Sequence, residues 1–191
     1  MQEFLKAYTS KDAELLAKID PAEFQKAIGI LTEAYRNDRQ IFIAGNGGST
    51  GTVNHFSFDF EKNAVQDPSR RRFRIISLAA NAAKIIGFGN DVAFEEIFSQ
   101  QMYPLFNEKD VLILVSSSGT SPDLIQACRY AAKKNGSIIG LTGFAGGRIK
   151  DYAAANIIVP DSCYEMIEDV HLAVLHMFVY YFKKHPEVLN G

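Results

Sequence analysis

The feature that most constrains the fold is residues 40–55, where a short apolar run leads into a glycine-rich loop. Ile41 to Ala44 is apolar, contains β-branched residues and is bounded by polar and turn residues, so it predicts a buried strand. A loop of three glycines and one asparagine, residues 45–48 (the glycine loop), follows directly, and Ser49 is a residue type that caps helices. A strand, a glycine loop and a helix N-terminus present free backbone N–H groups and a positive dipole end, which most often bind phosphate. A glycine-rich turn without a ligand is the alternative.

Composition and charge exclude several classes of protein. The chain has 191 residues, of which 47% are apolar, and its net charge of −2 gives no basic excess that would indicate nucleic acid or an anionic membrane as partner. Its two cysteines, Cys128 and Cys163, lack the spacing of a metal site and are typical of free thiols in a reducing compartment. The pattern contains no signal peptide and no apolar run of the ~18 residues needed for a membrane span. We therefore expect a cytoplasmic protein.

Strand and helix patterns alternate along the chain and predict an α/β fold. Apolar runs predict five strands, at residues 41–44, 73–78, 111–115, 137–141 and 157–159. Helical composition and spacing predict helices at 49–62, 79–86, 94–105, 121–135, 146–154 and 165–184, with the second of these broken by Gly87 and Gly89. The predicted fold is a doubly wound, five-stranded parallel sheet flanked by helices, which binds ligands at the carboxyl ends of its strands.

Two helical segments precede the first strand and cannot be crossovers of the sheet. They are residues 2–18 and the segment that begins at Asp20-Pro21, a cap and first-turn signal. We expect this pair, within residues 1–38, to pack outside the sheet, where it covers the core or takes part in subunit contacts. No linker or internal repeat divides the chain, so we expect residues 1–191 to form one domain.

A second loop with binding chemistry follows the aliphatic strand at 111–115. This serine loop, residues 116–121, contains four serines and a threonine, with Ser121 placed as the N-cap and Pro122 as the first helical residue. Hydroxyl groups around a helix N-terminus can bind a phosphate ester without any cationic side chain. The alternative is a serine-rich loop that satisfies only its own backbone.

A nicotinamide dinucleotide site is excluded by two departures from its motif. The glycines at 45, 47 and 51 nearly fit G-x-G-x-x-G, but Thr50 occupies the last glycine position. The second predicted strand ends at residues 76–80 without the acidic residue that would hold the ribose.

Histidines and carboxylates on two helices are candidates for a metal or acid–base site. His55 and Asp59 lie four residues apart after the glycine loop, so their side chains share one helix face, and a plain surface pair is the alternative. On the last helix, His171 and His176 are about 140° apart and cannot face one site together. Glu168 and His176 are ~12 Å apart by helical rise, so one metal would need a bent or late helix or ligands from different subunits.

Together these motifs resemble the sugar isomerase (SIS) domain family, and within it the phosphoheptose isomerases. The resemblance rests on residues 45–49 with His55, residues 89–91, the serine loop, residues 141–143 with 146–148, and residues 168–171 with His176. It covers nearly the whole chain. It implies the SIS fold, a homotetramer with active sites between subunits, a zinc ion near the substrate, and interconversion of sedoheptulose 7-phosphate and a heptose 7-phosphate through an enediol(ate).

The resemblance also implies roles for individual residues. Asp59 would be the general base and His176 the general acid. Zinc would lie among His55, Asp59, Glu168 and His176. The residues implied in substrate binding are Asn46, Gly47, Ser49, Asn81, Asn90, Asp91, Ser116, Ser117, Ser118, Ser121 and Glu168.

Three positions depart from the family pattern, which has glutamate in place of Asp59, glutamine in place of Glu168 and aspartate in place of Asn81. An aspartate base is one methylene shorter, and a displacement of about 1 Å can cost ~10²-fold in rate. Glu168 adds a negative charge, which tightens zinc binding but repels an enediolate. Two alternatives therefore stay open: an isomerase for another ketose phosphate, and a non-catalytic SIS module that binds phosphosugars as a regulator or scaffold.

Overall fold

A five-stranded parallel sheet forms the centre of the protein, in a computed structural model that describes residues 1–190. The strands are β1 (Gln40–Gly45), β2 (Arg74–Ser77), β3 (Val111–Ser116), β4 (Ser137–Gly143) and β5 (Ala155–Val159). Their order across the sheet is β2-β1-β3-β4-β5, and every neighbouring pair is parallel. The predicted fold class is confirmed.

Helices cover both faces of the sheet. They are α1 (Gln2–Ala17), α2 (Pro21–Arg36), α3 (Gly48–Asn63), α4 (Ala82–Asp91), α5 (Ser99–Met102), α6 (Pro122–Lys133) and α7 (Tyr164–Lys184). Because crossovers are right-handed, the opposite directions of the β1–β2 and β3–β4 connections place α3 and α6 on opposite faces. Helix α7 packs against α3, and α2 joins this layer where Phe24 meets Phe178, with ring centroids 5.1 Å apart. No helix within residues 1–190 combines the length and apolar character of a membrane span.

Aromatic side chains hold α3 beside α7. Phe60 of α3 lies 4.3 Å from Phe73 and 5.8 Å from Phe182 of α7, measured between ring centroids, and all three rings are buried. Aromatic pairs at such distances contribute about 0.5–1.5 kcal/mol each beyond the burial of their area. This contact sets the spacing between the two helices that carry the candidate histidines.

The register of the strands brings the two predicted loops together. Gly45 pairs with Val115 across β1 and β3, so the glycine loop and the serine loop leave neighbouring strands at the same edge of the sheet. A Cβ on Gly45 would lie 2.8 Å from the Val115 carbonyl oxygen and 2.9 Å from the Cβ of Ser49, so only glycine permits this close turn. The direction of the crossovers changes between β1 and β3, which makes this edge the switch point where such sheets bind ligands.

Several predicted local features are wrong. Helix α4 continues through Gly87 and Gly89, because a glycine costs a helix only about 1 kcal/mol and Asn81 caps the helix later than expected. The predicted helix at 94–105 is a 3₁₀ turn at Phe94–Glu96 followed by the short α5. Only a 3₁₀ turn at Ile149–Asp151 forms within 146–154, since the glycines at 146 and 147 both have positive φ. The N-cap of α3 is Gly47, and Ser49 lies buried inside the first turn.

His171 of α7 is fully buried, and neither of its ring nitrogens has a hydrogen-bond partner among the described residues. Burial lowers its pKa from 6.5 to about 4, and the nearby backbone of Thr142 raises the pKa by a smaller amount. Below pH 6.5 the unfolded chain therefore binds a proton that the folded chain does not bind until about pH 4. The free energy of unfolding should fall as the pH decreases through this window.

We expect His171→Leu to remove this pH dependence. Between pH 7 and pH 5 the wild type should lose about 2 kcal/mol more unfolding free energy than the variant, because only its buried imidazole must be protonated on unfolding. Urea unfolding at the two pH values measures the difference. The exposed His185 supplies the control, and His185→Leu should keep the wild-type dependence. Equal pH dependence in the wild type and His171→Leu would show that His171 is not the source of the loss of stability.

Candidate functional site

The hydroxyl groups of the serine loop differ in whether they have a hydrogen-bond partner within the loop. Ser116 Oγ accepts a hydrogen bond from the Gly119 N–H at 3.1 Å, and Ser118 Oγ accepts one from Thr120 N–H at 3.4 Å. Ser117 Oγ is buried without a partner among residues 1–190. Ser121 is the N-cap of α6, as predicted, but its side chain does not cap the helix. An unpaired hydroxyl and an uncapped helix N-terminus are what a phosphate ester needs.

The loop that follows β4 packs directly behind the serine loop. The Gly143 N–H donates to the Ser117 carbonyl at 2.8 Å, and the Arg148 N–H donates to the Gly119 carbonyl at 2.8 Å. Gly119 has a φ of +66°, and a Cβ there would lie 2.5 Å from the carbonyl oxygen of Gly146. The two backbones are therefore in contact without room for a side chain, which holds the serine loop in one shape.

Glu168 covers the glycine loop. This residue of α7 places its carboxylate against Gly48, where it occupies the space that a side chain at this position would need. Gly47 makes the N-cap with a φ of +53° and no side-chain cap bond. The predicted anion-binding loop is thus partly filled by a carboxylate of the chain itself. Of the two loops, the serine loop is the one with an unpaired hydroxyl group and a helix N-terminus that has no side-chain cap.

A side-chain contact joins the two loops. Asn46 Nδ2 of the glycine loop lies 3.0 and 2.8 Å from the two carboxylate oxygens of Asp123, in the first turn of α6. Asp123 is 1% exposed, and burial raises its pKa, while the hydrogen bond from Asn46 acts against this shift. Sequence reasoning missed Asp123, although an acidic residue in the first turn after Ser121-Pro122 was the available signal.

Three of the four predicted metal ligands lie together between α3 and α7. His55 Nε2 is 3.0 Å from His176 Nε2 and 3.6 Å from an Asp59 carboxylate oxygen, and the ligand atoms of all three residues lie within 4.8 Å of one another. Ligands at 2.0–2.1 Å from a tetrahedral zinc ion are ~3.4 Å apart, so the donor set and its spacing fit zinc. The side chains of His55 and Asp59 are 49% and 24% exposed, which leaves an open side for a further ligand.

Other predicted residues lie apart from this group. Glu168 is not part of the group of three, and its position as a fourth ligand stays a prediction. Asn81 caps α4 by accepting from the Lys84 N–H at 3.1 Å, and Asn90 donates to its neighbour Asp91 at 2.8 Å. None of the hydrogen bonds found within residues 1–190 joins these three exposed residues to the two loops or to the histidines.

Two cavities differ in their relation to the predicted site residues. One, of about 760 Å³, lies between α2 and the N-terminal ends of β3 and β4 and contains no predicted site residue. A groove of about 570 Å³ runs between α3 and α7 and is lined by Asp59 and His176. The second groove is therefore the one that gives access to the candidate metal ligands.

Comparison with known proteins agrees with this geometry. The family model of the SIS domain matches residues 7–143, so the fold and the paired loops are those of an SIS-domain protein. A phosphoheptose isomerase of Campylobacter jejuni is 32% identical over 84% of this chain and 85% of its own length. One from Nitratiruptor is 35% identical over 78% of each chain. The chain therefore belongs to the phosphoheptose isomerases of the SIS family.

A solved structure shows the same fold. The phosphoheptose isomerase of Neisseria gonorrhoeae superimposes with a TM-score of 0.84 at 25% identity, over 96% of this chain and 98% of that one. Because the superposition leaves out only a few per cent of either chain, it includes the N-terminal helices as well as the sheet.

We expect Gly119→Ala to deform the serine loop. A Cβ would collide with the Gly146 carbonyl at a positive φ, which should cost ~1–3 kcal/mol of unfolding free energy and weaken phosphate binding. Gly51→Ala is the control, because nothing lies within 4 Å of its Cβ, and it should stabilise α3 by about 0.5–1 kcal/mol. Urea unfolding and the shift of melting temperature with inorganic phosphate measure both effects. A Gly119→Ala variant with wild-type stability and phosphate response would contradict the rigid contact.

Proposed function

We propose that this chain is an aldose–ketose isomerase that interconverts sedoheptulose 7-phosphate and a heptose 7-phosphate through an enediol(ate). The observation that carries the proposal is the group formed by His55 and Asp59 of α3, the helix that leaves the glycine loop, with His176 of α7. The names of the relatives support the choice of sugar. The unpaired hydroxyl of the serine loop and the uncapped N-terminus of α6 support a phosphate group at one end of the substrate.

The distance between the two parts of the site suits a long sugar chain. His55 lies seven residues after Gly48, which is about 10 Å along α3. The serine loop begins beside the glycine loop, so we expect a substrate whose phosphate lies there to extend over a length of this order to reach the carboxylate and imidazoles. A seven-carbon chain with the phosphate and the reacting carbons at opposite ends meets this requirement.

The residues of the group match the chemical steps. Isomerisation moves a proton between adjacent carbons, which requires a base, and moves protons at the two oxygens, which requires an acid. We assign the carbon-bound proton to Asp59 and the proton at oxygen to His176. A zinc ion held by His55, Asp59 and His176, with Glu168 as a further ligand, would polarise the substrate oxygens.

Substrate contacts follow the placement of the loops. The serine loop, through Ser117, Ser121 and the N–H groups of α6, would hold the phosphate, while Ser116 and Ser118 keep the loop in shape. Asn46, Gly47 and the loop around Ser49 would meet the sugar. Asn81, Asn90 and Asp91 remain predicted contacts, and their exposure is compatible with a site that a second subunit completes.

The groove between α3 and α7 supports a homotetramer with sites between subunits. Phe58 of α3 and Tyr180 of α7 are 58% and 61% exposed, and Met177 beside them is 39% exposed. Large apolar side chains exposed next to a functional groove are typical of a subunit interface. We propose a single-domain subunit in a reducing, cytoplasmic compartment, which agrees with two free cysteines.

Incubation with sedoheptulose 7-phosphate, with and without zinc, tests the activity. Asp59→Asn and His176→Gln should each lower kcat by about 10²–10⁴-fold, because each removes a proton-transferring group. His185→Gln, outside the site, should retain wild-type turnover. Sugar isomers separated by chromatography measure the product.

Two other outcomes would overturn the proposal. No product under either condition, with clear thermal stabilisation by phosphosugars, would indicate a non-catalytic binding module. Turnover of a different ketose phosphate alone would indicate an isomerase with another substrate.

We expect Phe58→Glu and Tyr180→Glu to dissociate the assembly, because a charge at either position opposes burial of the groove. The variants should sediment as smaller species and lose activity most at low protein concentration. Tyr103→Glu is the control, since Tyr103 is 63% exposed but lies outside the groove. A wild type that sediments as a monomer at micromolar concentration would contradict the proposed interface.

A further inference from the structure

The contact between Asn46 and Asp123 determines which end of the Asn46 amide faces the site. An ionised carboxylate only accepts hydrogen bonds, whereas an amide has a donating NH₂ end and an accepting oxygen end. Asp123 therefore selects the NH₂ end, at 3.0 and 2.8 Å. Asn46 Oδ1 points to the opposite side, and it accepts no hydrogen bond found within residues 1–190. Asn46 itself is only partly buried, so this oxygen is left for a ligand.

The same contact crosses the gap between the two loops. Asn46 follows Gly45, the last residue of β1, and Asp123 lies two residues after Ser121, the N-cap of α6. The carboxylate is 1% exposed, so water does not compete for it. A buried, charge-assisted contact of this kind holds the sugar side and the phosphate side of the site at a fixed separation.

We propose that Asp123 is a positioning residue, which turns Asn46 into a hydrogen-bond acceptor for a hydroxyl of the sugar chain and holds this acceptor at a fixed distance from the phosphate. The inference rests on the proposed function, since it concerns a phosphorylated sugar that contacts both loops. Asp123 touches no reacting atom. It acts only through Asn46.

A purely structural role for Asp123 makes different predictions. An acidic side chain in the first turn of a helix interacts favourably with the helix dipole, and it does so only while charged. Asp123→Asn removes the charge but keeps an oxygen that can accept from Asn46. Asp123→Ala removes both. Comparison of the two variants therefore separates the charge from the hydrogen bond.

Titration calorimetry and turnover assays with sedoheptulose 7-phosphate supply the test, with inorganic phosphate as the second probe. Asp123→Ala should raise the Kd and the KM for the sugar phosphate about tenfold, the value of one hydrogen bond, and should change the Kd for inorganic phosphate much less. Asp123→Asn should recover most of this loss. Asn46→Ala should equal Asp123→Ala, and the double variant should be no worse than either, because both remove one interaction.

Other results would overturn the inference. Equal losses in Asp123→Asn and Asp123→Ala would assign the effect to charge at the helix. Additive losses in the double variant would separate Asp123 from Asn46, and unchanged sugar binding in a folded Asp123→Ala variant would remove its role. In each case the wild type still converts the sugar phosphate, so the proposed function would stand. A wild type that binds inorganic phosphate but no phosphosugar would overturn both.

A measurement on the wild type covers the case in which Asp123→Ala does not fold. The side-chain NH₂ resonances of Asn46 should shift on addition of sedoheptulose 7-phosphate and stay nearly unchanged with inorganic phosphate, because only the sugar reaches Oδ1. The same shift with both probes would contradict the inference.

Discussion

The close approach of β1 and β3 at their carboxyl ends is the constraint on which the site depends. Gly45 lies against the Val115 carbonyl with no room for a side chain, and the chain leaves the two strands towards opposite faces of the sheet. Two loops with exposed backbone N–H groups thus begin side by side. The contact between Asn46 and the buried Asp123 then ties them together.

The reactive part of the site depends on a different contact, the aromatic packing between α3 and α7. Phe60 and Phe182 lie on the buried sides of these helices, and His55 and His176 lie on the sides that face outward. Burial of the rings sets the distance between the helices and brings two imidazole nitrogens to 3.0 Å. The candidate phosphate-binding groups belong to the strand ends and the histidines to the helix layer, and α3 connects the two.

Periodicity and turn chemistry predicted most of the architecture because they act over short stretches. The five strands, the serine loop with Ser121 as N-cap, and the placement of His55 beside Asp59 are local features, and all of them are present. The meeting of His55 with His176 joins residues 121 positions apart and was expected only from family resemblance. Asp123 was missed for the same reason, since its partner lies 77 residues away.

The local failures have identifiable causes. Glycine composition predicted an end to α4, but the cap supplied by Asn81 and continuous backbone hydrogen bonding outweighed the small cost of Gly87 and Gly89. Helical composition predicted a helix at 146–154, but Gly146 and Gly147 both have a positive φ, and Gly147 lies directly against the serine loop. No pattern in the sequence reveals that Glu168 lies on Gly48, because the space for the carboxylate exists only in the folded chain.

The mutual contact of Gly119 and Gly147 has a consequence for how this site can evolve. A Cβ on Gly147 would lie 2.5 Å from the Gly119 carbonyl carbon, and a Cβ on Gly119 would lie 2.5 Å from the carbonyl oxygen of the neighbouring Gly146. Neither position can therefore change alone without moving the loop that carries the hydroxyl groups. Changes in ligand preference are therefore easier on the opposite wall, where only the end of the Glu168 side chain fills the space beside Gly48. The proposed phosphate end of the pocket can therefore change only as one block, while a change at the proposed carbohydrate end needs only one side chain to move.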